Sequence, residues 1–314
     1  MNLLPLSYTS CQLCPRICRV DRTAAAGFCR SGSTVKVARA ALHHWEEPCI
    51  SGVNGSGTVF FSGCTLRCCF CQNYKISQEN FGKELTERQL ADCFLRLQDQ
   101  GAHNINLVTA THYLPSVLNA LDLVRHRLDI PVVYNCGGYE RVETVKLLKD
   151  YVNIWLPDFK YYSTELSAKY SQAKDYFPVA AAAIGQMIAQ TGPPVYTTAP
   201  VSQTTGASAP ALMRSGVIIR HMVLPGARKD SIRLLHWITD TLPKDHYLIS
   251  LMSQYTPYHR SSEHPEINRR ITTYEYDQVV NTALDLGLTM GFMQKKSSAK
   301  EEYTPPFDLE GLDD

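Results

Sequence analysis

Residues 63–73 read GCTLRCCFCQN and place Cys64, Cys68, Cys69 and Cys71 within eight positions. Thiolates are soft ligands for zinc and for iron–sulfur clusters, and close spacing lets one loop wrap one compact centre. Cys64, Cys68 and Cys71 form C-x3-C-x2-C. Three ligands on a four-iron cubane leave one iron without a protein ligand. Reactive metal sites keep such an open position and closed structural sites lack it. A zinc site or a set of buried thiols is the competing reading. Cys69 has Thr65 four places upstream, so the same spacing cannot be built on it; it reads as a small buried hydrophobe behind the loop.

A second group, Cys11, Cys14, Cys18 and Cys29, has the form C-x2-C-x3-C-x10-C. Four thiolates at these separations can close a tetrahedral zinc site or hold an auxiliary iron–sulfur cluster, and both metals accept them. Either would staple a segment too short to build its own core. Nine of the 11 cysteines lie within the first 71 residues. The opening MNLLPLSYTS lacks the basic and apolar regions of a secretory signal. A cytoplasmic, reducing location is therefore expected, with metal chemistry favoured over disulfides. Cys93 and Cys136 lie in apolar contexts and read as buried thiols. With 31 basic and 30 acidic side chains, the charge gives no long-range pull toward nucleic acid or anionic lipid. No apolar run approaches the length of a membrane span.

Short apolar, β-branched or aromatic runs must position these groups: TVFFSG, then INLVTA (105–110), VVYNCG (132–137), NIWLPD (153–158), GVIIRHMVL (216–224) and HYLISLM (246–252). Nearly continuous apolar runs suit parallel strands buried on both faces. Helical patterns alternate with them; Thr86 and Gln89 stand at capping-box spacing before one, and Gly101 closes it. The expected fold is α/β, a partial (β/α)6 TIM-like barrel behind a small Cys-rich N-terminal segment. The boundaries predicted are 1–50 for that segment, 51–294 for the barrel and 295–314 for a charged disordered tail. Residues 194–216, rich in proline and small side chains, read as a surface loop. SGVNGSG (51–57) precedes a strand and reads as a turn, not a phosphate loop. Ligand chemistry in such folds gathers at the C-terminal strand ends. That rule selects Cys64 onward, Thr111–His112, Asn135–Gly138, Asp158–Lys160, Pro225–Gly226 and Tyr255–His259.

The C-x3-C-x2-C with Phe70 before its last cysteine, following the first strand, strongly resembles the radical S-adenosylmethionine (SAM) enzymes. Further stretches, LCPRICRVDR, EEPCISG, NINLVTATHYLP, YNCGGYE, WLPDFKYY, IIRHMVLPG and INRRIT, resemble the PflX-type radical SAM proteins similar to pyruvate formate-lyase activating enzyme, over roughly residues 10–290. The resemblance implies a [4Fe-4S] cluster on Cys64, Cys68 and Cys71 that chelates SAM. It also implies an oxidoreductase in which reductive cleavage of SAM gives a 5′-deoxyadenosyl radical that abstracts hydrogen from an unidentified substrate. An electron donor such as flavodoxin or ferredoxin is implied too. SAM contacts are implied for Thr109, Thr111, Asn135, Cys136, Asp158, Lys160 and His259, with His112 as a candidate acid or base. Asn135 stands where the activase pattern has an acidic residue. Three other functions compete: a glycyl-radical enzyme activase acting on a partner protein, a two-cluster electron-transfer protein, and a zinc-stabilised interaction protein. Radical chemistry belongs to cofactors rather than side chains, and no Ser-His-Asp order or Walker loop offers another chemistry.

Overall fold

The protein is described here by a computed structural model covering residues 6–197, 211–294 and 305–312. Its strands are β1 (Val35–His43), β2 (Ser56–Phe61), β3 (Lys83–Leu85), β4 (Ile105–Val108) and β5 (Val132–Cys136), then β6 (Ile154–Pro157), β7 (Val195–Tyr196), β8 (Met213–Met222), β9 (Leu248–Met252) and β10 (Gly291–Met293). They hydrogen-bond in the order β10-β9-β8-β6-β5-β4-β2-β1-β3, with β7 paired to β8. The path from β2 through β10 is parallel, whereas β1 runs antiparallel to both β2 and β3. The six expected strands thus form a parallel α/β sheet that curls without closing. Helices such as Glu87–Asp99, Leu114–Val124, Tyr176–Thr191, Arg228–Thr241 and Thr273–Asp285 cover its outer face. The Thr86–Gln89 capping box forms as expected, and Thr272 with Glu275 forms a second. No described helix is long and apolar enough to cross a membrane.

The inner face is layered. Val133, Ile154, Leu156, Ile218 and Leu248 cluster with Cys49 and Ile50. The latter two come from the short helix Pro48–Ser51 in the β1–β2 connection, so this connection plugs one end of the curl. Side chains two residues apart on a strand share a face. Asn135, Leu156's neighbour-but-one Asp158, Arg220 and Ser250 therefore lie above the apolar layer, one step nearer the C-terminal strand ends. A polar floor is the direct result of the sequence alternation at those positions.

Two boundaries differ from expectation. Within the 194–216 loop, Val195 and Tyr196 pair with Ser215 and Met213, so the ends of the loop belong to a hairpin; residues 198–210 lie outside the described residues. The expected tail begins at 295, and residues 295–304 also lie outside them, as do 313 and 314. Residues 305–312, however, are docked. Leu309 N–H donates to Ala38 O at 3.1 Å and Ala40 N–H donates to Glu310 O at 2.9 Å, extending the edge of β1 beyond β3. Phe307 meets Phe60 edge-on at 5.6 Å, and Leu312 is buried in the core. Arg39 pairs with Asp308 at 2.7 Å and also with Glu310. The charged residues that suggested a tail alternate with the apolar ones that anchor it. Leu312→Ala should destabilise the protein by about 2–4 kcal/mol, measured by denaturant unfolding; an unchanged midpoint would show that the segment does not contribute to the core.

Candidate active site

At the C-terminal strand ends a cavity of about 250 Å³ is lined by residues from β1, β2, β4, β5, β8 and β9, by Asp158 and Lys160 just after β6, and by the loop after β2. Cys64, Cys68 and Cys71 are on its wall; Cys69 is not, and is buried in the core instead. The loop carrying the thiols is held by backbone bonds: Cys69 N–H to Tyr170 O at 2.8 Å, Arg260 N–H to Cys69 O at 2.8 Å, and Cys71 N–H to Cys68 O at 3.3 Å. Phe70 packs edge-on against Tyr255 and Tyr170. Gly63, at φ +87°, makes the turn into the loop; a Cβ there would stand 2.7 Å from Cys29 O.

The three thiols form no disulfide. Each sulfur has a polar neighbour: Leu66 N–H donates to Cys64 Sγ at 3.3 Å, Cys68 Sγ lies 3.0 Å from Ser171 Oγ, and Cys71 Sγ lies 3.3 Å from Ser77 Oγ. Burial, then the neighbouring Cys68, pushes the Cys64 thiol well up and the Cys71 thiol up to about 11. A cationic metal centre is what would favour their thiolate forms. Hydrogen bonds to ligand sulfurs are also how proteins tune iron–sulfur clusters. Among the described residues no three Cys, His, Asp or Glu side chains are arranged to hold a single ion; a multi-iron cluster distributes its ligands over separate irons and does not need them to converge. The residues present fit such a cluster.

The floor facing the thiols is a charge network. Lys160 Nζ lies 2.5 Å from Asp158 Oδ2, confirming that residues 158 and 160 project from one side of the extended segment. Arg220 pairs with Asp158 Oδ1 at 2.9 Å and with Glu46 Oε2 at 3.1 Å, and donates to Asn135 Oδ1 at 2.5 Å. Asn106 and Asn135 both donate to Glu46 Oε1 at 3.1 Å. Burial pushes the Asp158 carboxyl up, but Arg220 and Lys160 together more than offset it and hold it below the usual carboxylate range. Burial likewise works against charge on Lys160, yet Asp158 holds its ammonium above the usual value. Lys160 stays a cation beside the thiols.

The other expected residues separate into two groups. Thr109, Asn135 and Cys136 line the cavity with Asp158 and Lys160. Thr109 does so at φ +61°, a costly conformation for a β-branched residue that concentrates at functional sites. Thr111, His112 and His259 are not on the wall. Thr111 donates to Glu140 Oε1 at 2.7 Å and accepts from Tyr134 at 2.9 Å. His112 has Nε2 2.7 Å from Ser62 O, and burial, then Arg22, lowers its pKa to about 3. A neutral imidazole committed to a carbonyl is a poor acid or base for the cavity. His259 stacks on Tyr74 at 4.9 Å with Nε2 3.3 Å from Gln78 Oε1. Glu46 and Arg220 were not singled out from the sequence. A basic residue inside an apolar strand run, as in GVIIRHMVL, and the acidic pair in EEPC were the available signals.

Two predictions follow from the buried charges. Arg220→Met would leave Glu46 and Asp158 without their shared cation and should cost roughly 3–5 kcal/mol, read by denaturant unfolding. Behind the wall, burial raises the Glu140 carboxyl to about 8 with only the Thr111 hydrogen bond opposing. Its folded pKa exceeds its unfolded one, so the stability it contributes is present at low pH and is lost as pH rises toward 8. Glu140→Gln should therefore flatten the fall in melting temperature between about pH 5 and pH 8; an unaltered slope would exclude this group as its source.

The family model described as the Radical SAM superfamily matches residues 58–182, which contain the three cavity thiols and the Asp158–Lys160 pair. An uncharacterized protein of Methanocaldococcus jannaschii is 29% identical over 286 residues, covering 88% of this chain and 75% of that one. Among solved structures, Streptococcus suis SuiB bound to precursor peptide SuiA aligns with TM-score 0.47 and 11% identity, covering 74% of this chain and 46% of that one. The chain thus spans about half the length of SuiB. A domain of a pyruvate-formate lyase-activating enzyme from Bacteroides vulgatus aligns with TM-score 0.38 and 14% identity, covering 56% of this chain and 89% of that domain. The matched stretch, residues 58–182, contains the thiol loop, most of β2 and the strands β4, β5 and β6 beside it, so this part of the chain is similar to the Radical SAM superfamily.

Proposed function

We propose that the protein is a radical-generating oxidoreductase that binds a [4Fe-4S] cluster through Cys64, Cys68 and Cys71 and SAM across the cavity. The observation that carries this reading is one cavity wall of three free thiols facing a floor of fixed charges. When bound and reduced, cluster and SAM would supply a 5′-deoxyadenosyl radical able to take hydrogen from a substrate. The electron would come from a low-potential donor of the flavodoxin or ferredoxin class, in keeping with a reducing, cytoplasmic setting. In this reading the thiols hold the metal, and Lys160 offers a cation to the carboxylate of SAM. Asp158 fixes that lysine and is itself fixed by Arg220. Thr109 and Asn135 supply hydrogen-bonding groups at neighbouring strand ends. The apolar part of the wall, including Phe60, Val108, Met222 and Met252, keeps water away from reactive carbon. The substrate is unassigned, and activation of a partner glycyl-radical enzyme remains the alternative within the same chemistry. Cys11, Cys14, Cys18 and Cys29 are read as a second thiolate centre, zinc or an auxiliary cluster.

The test is anaerobic reconstitution with iron and sulfide, followed by a strong reductant and SAM. Formation of 5′-deoxyadenosine, measured by chromatography, is expected. Replacing Cys64, Cys68 or Cys71 by Ala should abolish it, while Cys69→Ala should leave it within about twofold, corresponding to under ~0.5 kcal/mol. Absence of the product from fully loaded protein would overturn the reading.

A further inference from the structure

The N-terminal cysteines sit in a tight turn structure. Cys11 N–H donates to Val20 O at 3.1 Å, Arg19 N–H to Cys11 O at 2.9 Å and Ile17 N–H to Cys14 O at 3.1 Å. Ile17 and Arg19 both adopt left-handed backbone, at φ 39° and 53°. All four thiols are free. A Cβ on Gly27 would lie 3.5 Å from both Cys18 Sγ and Cys29 Sγ, at ordinary contact distance, so those two sulfurs flank that position. Within this turn lies Arg22, 1% exposed. Its guanidinium donates to Ser31 O at 3.0 Å and to the carbonyls of Gly32 and His112, and Nη1 lies 3.8 Å from Cys11 Sγ. Among the described residues no carboxylate pairs with it. Carbonyls satisfy its hydrogens, and the Tyr8 and Tyr113 rings face it at 5.1 and 5.7 Å, but none of these supplies a formal counter-charge, and a buried cation without one is costly.

The same segment braces the loop that carries the cavity thiols. Ser31 Oγ lies 3.4 Å from both Cys29 O and Ser62 O. Arg16 Nε donates to Thr65 O at 3.0 Å, and Arg67 reaches back to Phe28 O at 2.9 Å. Gly63, next to Cys64, has no room for a Cβ because Ser31 Oγ and Cys29 O occupy it.

We propose that Cys11, Cys14, Cys18 and Cys29 hold an anionic iron–sulfur cluster, whose ligands need not converge on one point as those of a single ion must, that Arg22 is its counter-charge, and that this cluster positions the Cys64 loop through Cys29 and Ser31. Four thiolates outweigh the charge of a four-iron cluster core and leave a net negative centre for the guanidinium to balance. Arg22 and Ser31 are then positioning residues. The positioning half rests on the reading of Cys64, Cys68 and Cys71 as a cluster site; the metal half does not.

The test uses the full chain, reconstituted anaerobically with iron and sulfide in one arm and with zinc added in another. Iron, acid-labile sulfide and zinc are counted per chain, and the electron paramagnetic resonance spectrum of the reduced protein is recorded with and without SAM. Cys11→Ser with Cys14→Ser should lose one cluster's iron and sulfide while retaining the SAM-responsive signal; zinc in place of iron and sulfide at these cysteines in the parent overturns the cluster. Equal metal in this variant and the parent overturns the second centre. Gly63→Ala should keep both complements of metal yet require about tenfold more SAM to give the same spectral change. A parental SAM response in Gly63→Ala overturns the positioning role, even where the cysteine variant fails to fold. Arg22→Met should lose the second centre's metal to a chelator at least fivefold faster; an unchanged rate overturns the assignment of Arg22. Should the parent show no SAM-responsive signal, the Cys64 reading fails, and the metal count still decides the second centre.

Discussion

The cavity is organised by a cation in the middle of a curled parallel sheet. Arg220 occupies an inward position on β8, between two apolar layers, and a guanidinium there survives only if its charge and donors are met. Asp158 from β6, Asn135 from β5 and Glu46 from the plug each meet part of that demand. Three separate segments are thereby fixed relative to one another by one side chain. Asp158 in turn fixes Lys160, so the cation beside the thiols is placed at second hand by Arg220.

The plug explains why that layer can exist. Parallel strands feed their residues inward at intervals of two, and the lower interval here is apolar and filled by Cys49 and Ile50. Water is thus kept from the underside of the charge layer, and the interactions within it are strengthened by the low local dielectric. The open side of the layer is the cavity. A site needing fixed charges near an apolar chamber obtains both from one alternation of side chains.

Much of this was legible in the sequence. Parallel strands buried on both faces leave continuous apolar runs, and each of the six expected runs became a parallel strand; the thiols and the Asp158–Lys160 pair fell at strand ends because that is where such runs stop. Glu46 escaped because it reaches the floor from a connection that looks like a surface turn, and its partners are as far as residue 220 along the chain. His112 and Thr111 obeyed the strand-end rule yet turned behind the wall, because the short turn after β4 sends them toward Ser62 and Glu140. Residues 305–312 depart from the expected tail for a related reason. Composition reported their charges, whereas the period-two alternation of Phe307 and Leu309 with Asp308 and Glu310 carried the β-edge signal.

That docked segment also bears on how the molecule is assembled. Its hydrogen bonds join Ala38 and Ala40 to residues about 270 positions later in the chain, a separation that places them among the most non-local contacts in the sheet. Closing so long a loop has an entropic cost that must be met before the contact contributes. Contact order therefore predicts that this edge forms late: until residues 305–312 dock, β1 would present part of an unpaired edge beside the wall of the cavity. Newly made chains would carry an open sheet edge during that interval, the condition in which strands pair with the wrong partner.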